Sequence, residues 1–139
     1  MRKTARAIII KDGYLYVVRR ITKKWGTYFS IPGGGIEKGE TPSQAVIREV
    51  KEELNLDVEI ISLFNEYNEK EYGNYHYIFV CNIIGGILGK GAGEEYEWTD
   101  PDNQYIPDKI KLTEVKAATF LPGACEKDLK EYVERIIND

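Results

Sequence analysis

The chain has 139 residues, 42% hydrophobic and 30% charged, with a formal net charge of −4; this reads as one ordinary globular domain over residues 1–139, not a disordered or fibrous chain. Two cysteines, Cys81 and Cys125, and one histidine, His76, exclude a disulfide framework, a CxxC zinc site and any centre needing several imidazoles. No apolar run approaches the roughly 20 residues of a membrane span, and Ala7-Ile8-Ile9-Ile10 is too short for a signal peptide, so a cytoplasmic location, free thiols and no membrane partner are expected.

Ala5 to Lys11 is a β-branched run that ends at Asp12-Gly13, the strongest short hairpin signal. Tyr14 to Arg20 returns as a second strand, with Leu15 and Val17 on one face and Tyr14, Tyr16 and Val18 on the other. Residues 1–24 hold eight bases and one acid, leaving +7 there and −11 over the rest. Two readings of this asymmetry stand. The bases line the wet face of an edge strand, or they draw a polyanion to a site that also holds cations. An acidic protein argues against bulk nucleic-acid binding.

Residues 21–27 read as a loop, and Tyr28 to Ile31 as a short strand running into Pro32-Gly33-Gly34-Gly35. A glycine turn exposes backbone that a metal or phosphate can approach closely, which makes Gly34 and Gly35 candidate substrate contacts. Thr41 to Leu54 is the clearest helix. Thr41-Pro42-Ser43-Gln44 fits a capping box with proline at the first helical position, and Asn55 suits a left-handed C-cap. On a helical wheel Val46, Ile47, Val50 and Leu54 face the core, while Glu49, Glu52 and Glu53 share another arc. Arg48 sits one turn before Glu52 and can pair with it. Three carboxylates on one arc repel each other, so removing one charge is expected to leave stability equal or raised. Glutamates one turn apart, with a turn carbonyl, offer the all-oxygen ligands that a hard cation such as Mg²⁺ takes.

Leu56 to Glu66 and Tyr75 to Ile84 read as two more strands, and Gly85 to Gly93, with five glycines in nine residues, as a loop. Gln104 to Leu112 is a strand interrupted by Pro107, hence an edge. Glu126 to Ile137 is a terminal amphipathic helix. His76 and Cys81 read as strand and core residues, not as a base or a nucleophile.

From Gly34 the chain reads GGIEKGETPSQAVIREVKEELNL. Gly34, Glu40, Arg48, Glu49, Val50, Glu52, Glu53 and Leu56 stand at the spacings of the Nudix hydrolase signature. Six of these are single-letter matches, a coincidence on the order of 10⁻⁷ per window at average residue usage. The chain therefore resembles the Nudix family over these 23 residues, with Asn55 in place of the late glycine. Asparagine tolerates the same left-handed backbone.

The resemblance implies an α+β fold, a mixed β-sheet sandwiched between helices. It implies hydrolysis of a nucleoside diphosphate linked to another group, with Mg²⁺ as cofactor, Mn²⁺ as substitute and a nucleotide as partner. Glu49, Glu52 and Glu53 match the metal-binding glutamates, the Gly33 carbonyl would add a ligand, Arg48 would orient the carboxylates, and Glu40 would brace the loop. A further glutamate from outside the signature is expected, with Glu94, Glu95 and Glu97 as candidates and Glu95 favoured. Arg19 and Arg20 are candidate phosphate contacts. Because neighbouring strand residues point to opposite faces, one should touch the substrate and the other face water. The alternative function is a nucleotide-sensing module that binds without cleaving. A homodimer is an open expectation, and no secondary signature selects the substrate.

Overall fold

In a computed structural model the described residues are 1–89 and 100–139. The elements are β1 (Arg2–Lys11), β2 (Tyr14–Thr22), β3 (Gly26–Ser30), β4 (Gly33–Gly35), α1 (Pro42–Leu54), β5 (Leu56–Glu69), β6 (Asn74–Gly86), β7 (Asn103–Lys111), β8 (Phe120–Leu121) and α2 (Gly123–Asn138). Short 3₁₀ turns occupy Lys70–Tyr72 and Leu112–Ala117. Among the described residues the eight strands form one curled, mixed sheet in the order β5-β6-β1-β2-β3-β8, with β4 on β1 and β7 on β2. The β1–β6 and β3–β8 pairs are parallel; the other pairs are antiparallel.

Alternation along the two central strands explains the layers. Ala5, Ala7 and Ile9 of β1, with Tyr16 and Val18 of β2, pack with Ala45, Val46, Val50 and Leu54 of α1. Ile8, Leu15 and Val17 point the other way and pack with Cys125, Leu129 and Val133 of α2. One helix thus covers each side, the expected arrangement. Both faces of the first hairpin are apolar because both are buried. Its turn takes the left-handed backbone that Asp-Gly favours, with φ of 53° at Asp12 and 82° at Gly13.

Several boundaries and faces differ from the sequence reading. The loop at 21–27 shrinks to a turn, since Ile21 and Thr22 complete β2 and pair with Thr27 and Gly26. Gly85 and Gly86 belong to β6, where they pair with Asp57 and Leu56. Ile47 is 42% exposed, and the small Ala45 takes its expected place against the sheet. The largest correction concerns β1. It is an interior strand, bonded to β6, β4 and the start of β2, so its arginines do not decorate a sheet edge.

Candidate active site

α1 presents the glutamates, and its start is fixed as the residues imply. Thr41 Oγ1 accepts the Gln44 amide at 3.1 Å and the Gln44 side chain accepts the Thr41 amide at 3.0 Å. At its end Asn55 adopts φ 59°, ψ 34°, donates its backbone N–H to the Lys51 carbonyl, and donates Nδ2 to the Ile87 carbonyl at 3.0 Å. The helix is therefore a rigid rod with both ends fastened.

Arg48 is the hub of its polar face. Nε and Nη2 donate to the two Glu40 oxygens at 2.7 and 2.9 Å, a bidentate clamp across the loop before the helix. Nη1 donates to Glu49 at 3.0 Å and to Glu52 at 3.2 Å, and Nη2 also reaches the Gly35 carbonyl at 3.0 Å. Arg48 bonding, foremost, holds the Glu40 carboxyl down to about 2, and Glu40 in turn raises the Arg48 pKa above its ordinary value. The repulsion expected on the glutamate arc is thus largely offset by a cation seated between its members.

Glu53 differs from its neighbours. It is buried, 8% exposed, and its Oε1 accepts the Gly33 amide at 2.5 Å. It is a strut between helix and glycine turn, not a solvated acid. The turn itself demands glycine. Gly33 has φ 148°, and a Cβ there would lie 2.2 Å from the Ala5 carbonyl oxygen. A Cβ on Gly34 would meet the Glu49 carboxylate at 2.7 Å.

These groups line a cavity of about 660 Å³. Glu49, Glu52, Glu53 and Gly33–Gly35 form one side; Arg2, Arg6 and Arg20 also line it, as does Tyr105. Arg6 Nη1 donates to the Ile31 carbonyl at 3.0 Å, and its buried Nε has no hydrogen-bond partner among the described residues. Burial lowers the Arg6 pKa, and Glu53 acts in the opposite sense. Of the two arginines on β2, Arg20 lines the cavity, whereas Arg19 pairs with Asp108 at 2.6 Å and lies over the Phe29 ring. Arg2, Arg6 and Tyr105 were not candidates from sequence. Arg2 and Arg6 carried a usable signal, since residues four apart in a strand share a face; Tyr105 carried none. Glu94, Glu95 and Glu97 lie outside the described residues. The thiols of Cys81 and Cys125 are pushed up to about 12, in each case chiefly by burial, which suits packing and not nucleophilic attack.

The donor chemistry on the glutamate side is all oxygen, which fits a hard divalent cation. As the side chains stand, no three acidic, histidine or cysteine side chains among the described residues converge on one point. Arg48 Nη1 bridges Glu49 and Glu52, while the Gly33 amide holds Glu53.

The family model described as NUDIX domain matches residues 1–120. The chain belongs to the Nudix family. It is 34% identical over 101 residues to an ADP-ribose pyrophosphatase of Methanocaldococcus jannaschii, covering 69% of this chain and 60% of that protein. It is 49% identical over 86 residues to an 8-oxo-dGTP diphosphatase of Escherichia coli, covering 61% of this chain and 66% of that protein. The matches thus span less than two thirds of these relatives. Among solved structures, a NUDIX hydrolase from Nitrosomonas europaea superposes with a TM-score of 0.74 at 19% identity, over 96% of this chain and 70% of that one. Nudix hydrolases generally use divalent metal cations. No helix among the described residues is long and apolar enough to cross a membrane.

Proposed function

We propose that this Nudix chain hydrolyses a pyrophosphate bond in a nucleoside diphosphate linked to another group, with Mg²⁺ as the cation and Mn²⁺ as a substitute. The observation that carries the reading is a single cavity lined both by Glu49, Glu52 and Glu53 and by Arg2, Arg6 and Arg20. A pyrophosphate is shielded by its own negative oxygens, so its cleavage needs cations on more than one side. Relatives named as ADP-ribose pyrophosphatase and 8-oxo-dGTP diphosphatase support the reaction class.

Glu49, Glu52 and Glu53 would hold the cation, with the Gly33 carbonyl beside them. When bound, the cation supplies charge neutralisation and acidifies a water. Arg48 fixes the directions of Glu49 and Glu52 and ties them to the Glu40 clamp, so the carboxylates are preorganised. Glu53 holds the glycine turn in register with α1. Arg2 and Arg6 supply fixed positive charge within the cavity and orient the phosphates. Gly34 and Gly35, which carry no side chain, would let the backbone approach the substrate closely. Glu95 remains the proposed outside glutamate. The test is phosphate release over a panel of nucleoside triphosphates, nucleotide sugars and ADP-ribose, with and without Mg²⁺. Release from one panel member in Mg²⁺ is the expected result; silence across the panel under both conditions would favour nucleotide sensing without cleavage.

A further inference from the structure

We infer that the buried His76 is linked to the cavity: a multiply charged oxyanion held against Arg2 and Arg6 is bound together with a proton on His76 Nδ1, so that acid favours the anion. Only an anion in the cavity is required for this, not cleavage of any bond in it.

Register places the histidine behind the cavity lining. Thr4 of β1 pairs with Gly35 of β4 on one side and with His76 of β6 on the other, so one rung of the sheet runs from Gly35 through Thr4 to His76. Arg2 and Arg6 stand two residues to either side of Thr4 and therefore share its face of the strand. Both arginines and Gly35 line the cavity. His76 itself is buried, and both ring nitrogens are engaged, Nε2 with Glu69 Oε1 at 2.6 Å and Nδ1 with the Thr4 hydroxyl at 2.5 Å. Glu69 is fastened in turn, because its other oxygen accepts the Ala124 amide at 3.1 Å.

The groups that face the ring set the sign of the effect. β1 presents two cations, Arg2 and Arg6, and β4 only glycine. β5 presents Glu69, and Tyr67 in register with His76. α2 brings Asp128, which accepts the Tyr67 hydroxyl at 2.6 Å, and the Cys125 thiol, which burial keeps neutral. Burial foremost disfavours the charged imidazole; Glu69 opposes this, and Arg6 and Arg2 add to it. Burial and Glu69 are fixed by the fold, so the field of the two arginines is what a ligand can change. An anion seated on them cancels that field, over a distance at which charges inside a protein still act. The proton comes from solvent and adds to the Nδ1 lone pair. The Thr4 hydroxyl, a donor to the neutral ring, turns to accept from the charged one, and no heavy atom has to move. By linkage, the anion binds more tightly as pH falls from the His76 pKa of the occupied protein to the lower one of the free protein.

His76 is the single histidine of the chain, so its ring C–H resonances report its protonation by NMR without ambiguity. The test follows them between about pH 8 and 5 in metal-free buffer, in sodium sulfate and in sodium chloride of equal ionic strength. Sulfate is the probe because it stays a dianion over this range and takes up no proton itself. The His76 midpoint should lie higher in sulfate than in chloride, by about 0.5 or more. Arg6→Met should raise the midpoint in chloride and blunt the response to sulfate, whereas Arg6→Lys, which keeps the charge, should leave the chloride curve near that of the unaltered protein. Coincident curves for the unaltered protein in the two salts overturn the linkage. So does a chloride midpoint that Arg6→Met leaves unchanged. Should Arg6→Met fail to fold, Arg2→Met carries the same expectation, and the comparison of salts needs no variant. Hydrolysis is scored separately. A sulfate-dependent midpoint in a protein that cleaves no nucleotide removes the enzyme and keeps the linkage; cleavage with coincident curves does the reverse.

Discussion

Glu53 and Glu52 sit side by side on α1 yet stand in different physical situations, and substitutions should separate them. Glu52 is partly exposed and bonded to Arg48, so Glu52→Gln should leave stability within about 0.5 kcal/mol and lower turnover by orders of magnitude. Glu53→Gln keeps an oxygen for the Gly33 amide and should also fold while losing turnover. Glu53→Ala leaves that buried amide without an acceptor and should cost about 1–3 kcal/mol. This corrects the expectation that relief of repulsion alone sets the stability of such variants. Denaturant titration beside single-turnover kinetics checks all three; full turnover by folded Glu52→Gln and Glu53→Gln would make both residues structural. Gly34→Ala belongs to the same scale. The added methyl meets first the end of the Glu49 side chain, so the protein should fold with a displaced carboxylate and reduced turnover. Arg19, paired with Asp108 away from the cavity, should tolerate Arg19→Ala with an unchanged KM.

The elements are joined by two polar devices that the sequence hinted at unequally. The left-handed end of α1 was legible from Asn55 alone, and its consequence is sharp. Asn55→Val places a β-branched residue at positive φ and should cost on the order of 1–3 kcal/mol. Asn55→Gly keeps the backbone but loses the bond to the Ile87 carbonyl, so it should cost only a few tenths of a kcal/mol. Equal thermal midpoints for the two variants would contradict the cap. The second device was not legible. His76 on β6 is buried, and being beside a carboxylate its Nε2 donates to Glu69 Oε1 at 2.6 Å. Its Nδ1 accepts from the Thr4 hydroxyl at 2.5 Å, and Glu69 Oε2 accepts the Ala124 amide at the start of α2. β1, β6, β5 and α2 are thereby pinned by one chain of bonds. Burial lowers the His76 pKa, with Glu69 opposing. The unfolded chain therefore takes up a proton near pH 6.5 that the folded chain refuses, and stability should fall as pH drops below about 6.5 until the lower folded value is reached, by at most ~1.4 kcal/mol per pH unit. Chemical denaturation between pH 8 and 5 should show this slope, and His76→Gln should flatten it.

At the scale of the whole molecule, the sequence revealed what is local and hid what is long-range. Capping box, Asp-Gly turn and glutamate arc are written within a few residues of one another, and period-2 apolar patterning marked both faces of the central hairpin. The interior place of β1 was hidden, because it depends on a parallel pairing with β6 some 70 residues away. The basic charge of residues 1–24 was visible, but its meaning was not; only that interior pairing puts Arg2 and Arg6 into the cavity. The Arg20–Tyr105 rung is likewise a product of register between β2 and β7, for which neither residue carries a local sign. Ile47 was misassigned because a helical wheel has no knowledge of how wide the covered face will be. The proposed reaction has the glutamate wall work through a divalent cation on a pyrophosphate. Its most direct test follows hydrolysis of a nucleotide substrate by the unaltered protein and by Glu53→Gln, first in excess EDTA and then after adding back Mg²⁺. The expected result is no turnover in chelator, recovery on add-back for the unaltered protein, and little recovery for Glu53→Gln; undiminished hydrolysis in EDTA would contradict a cation-dependent reaction.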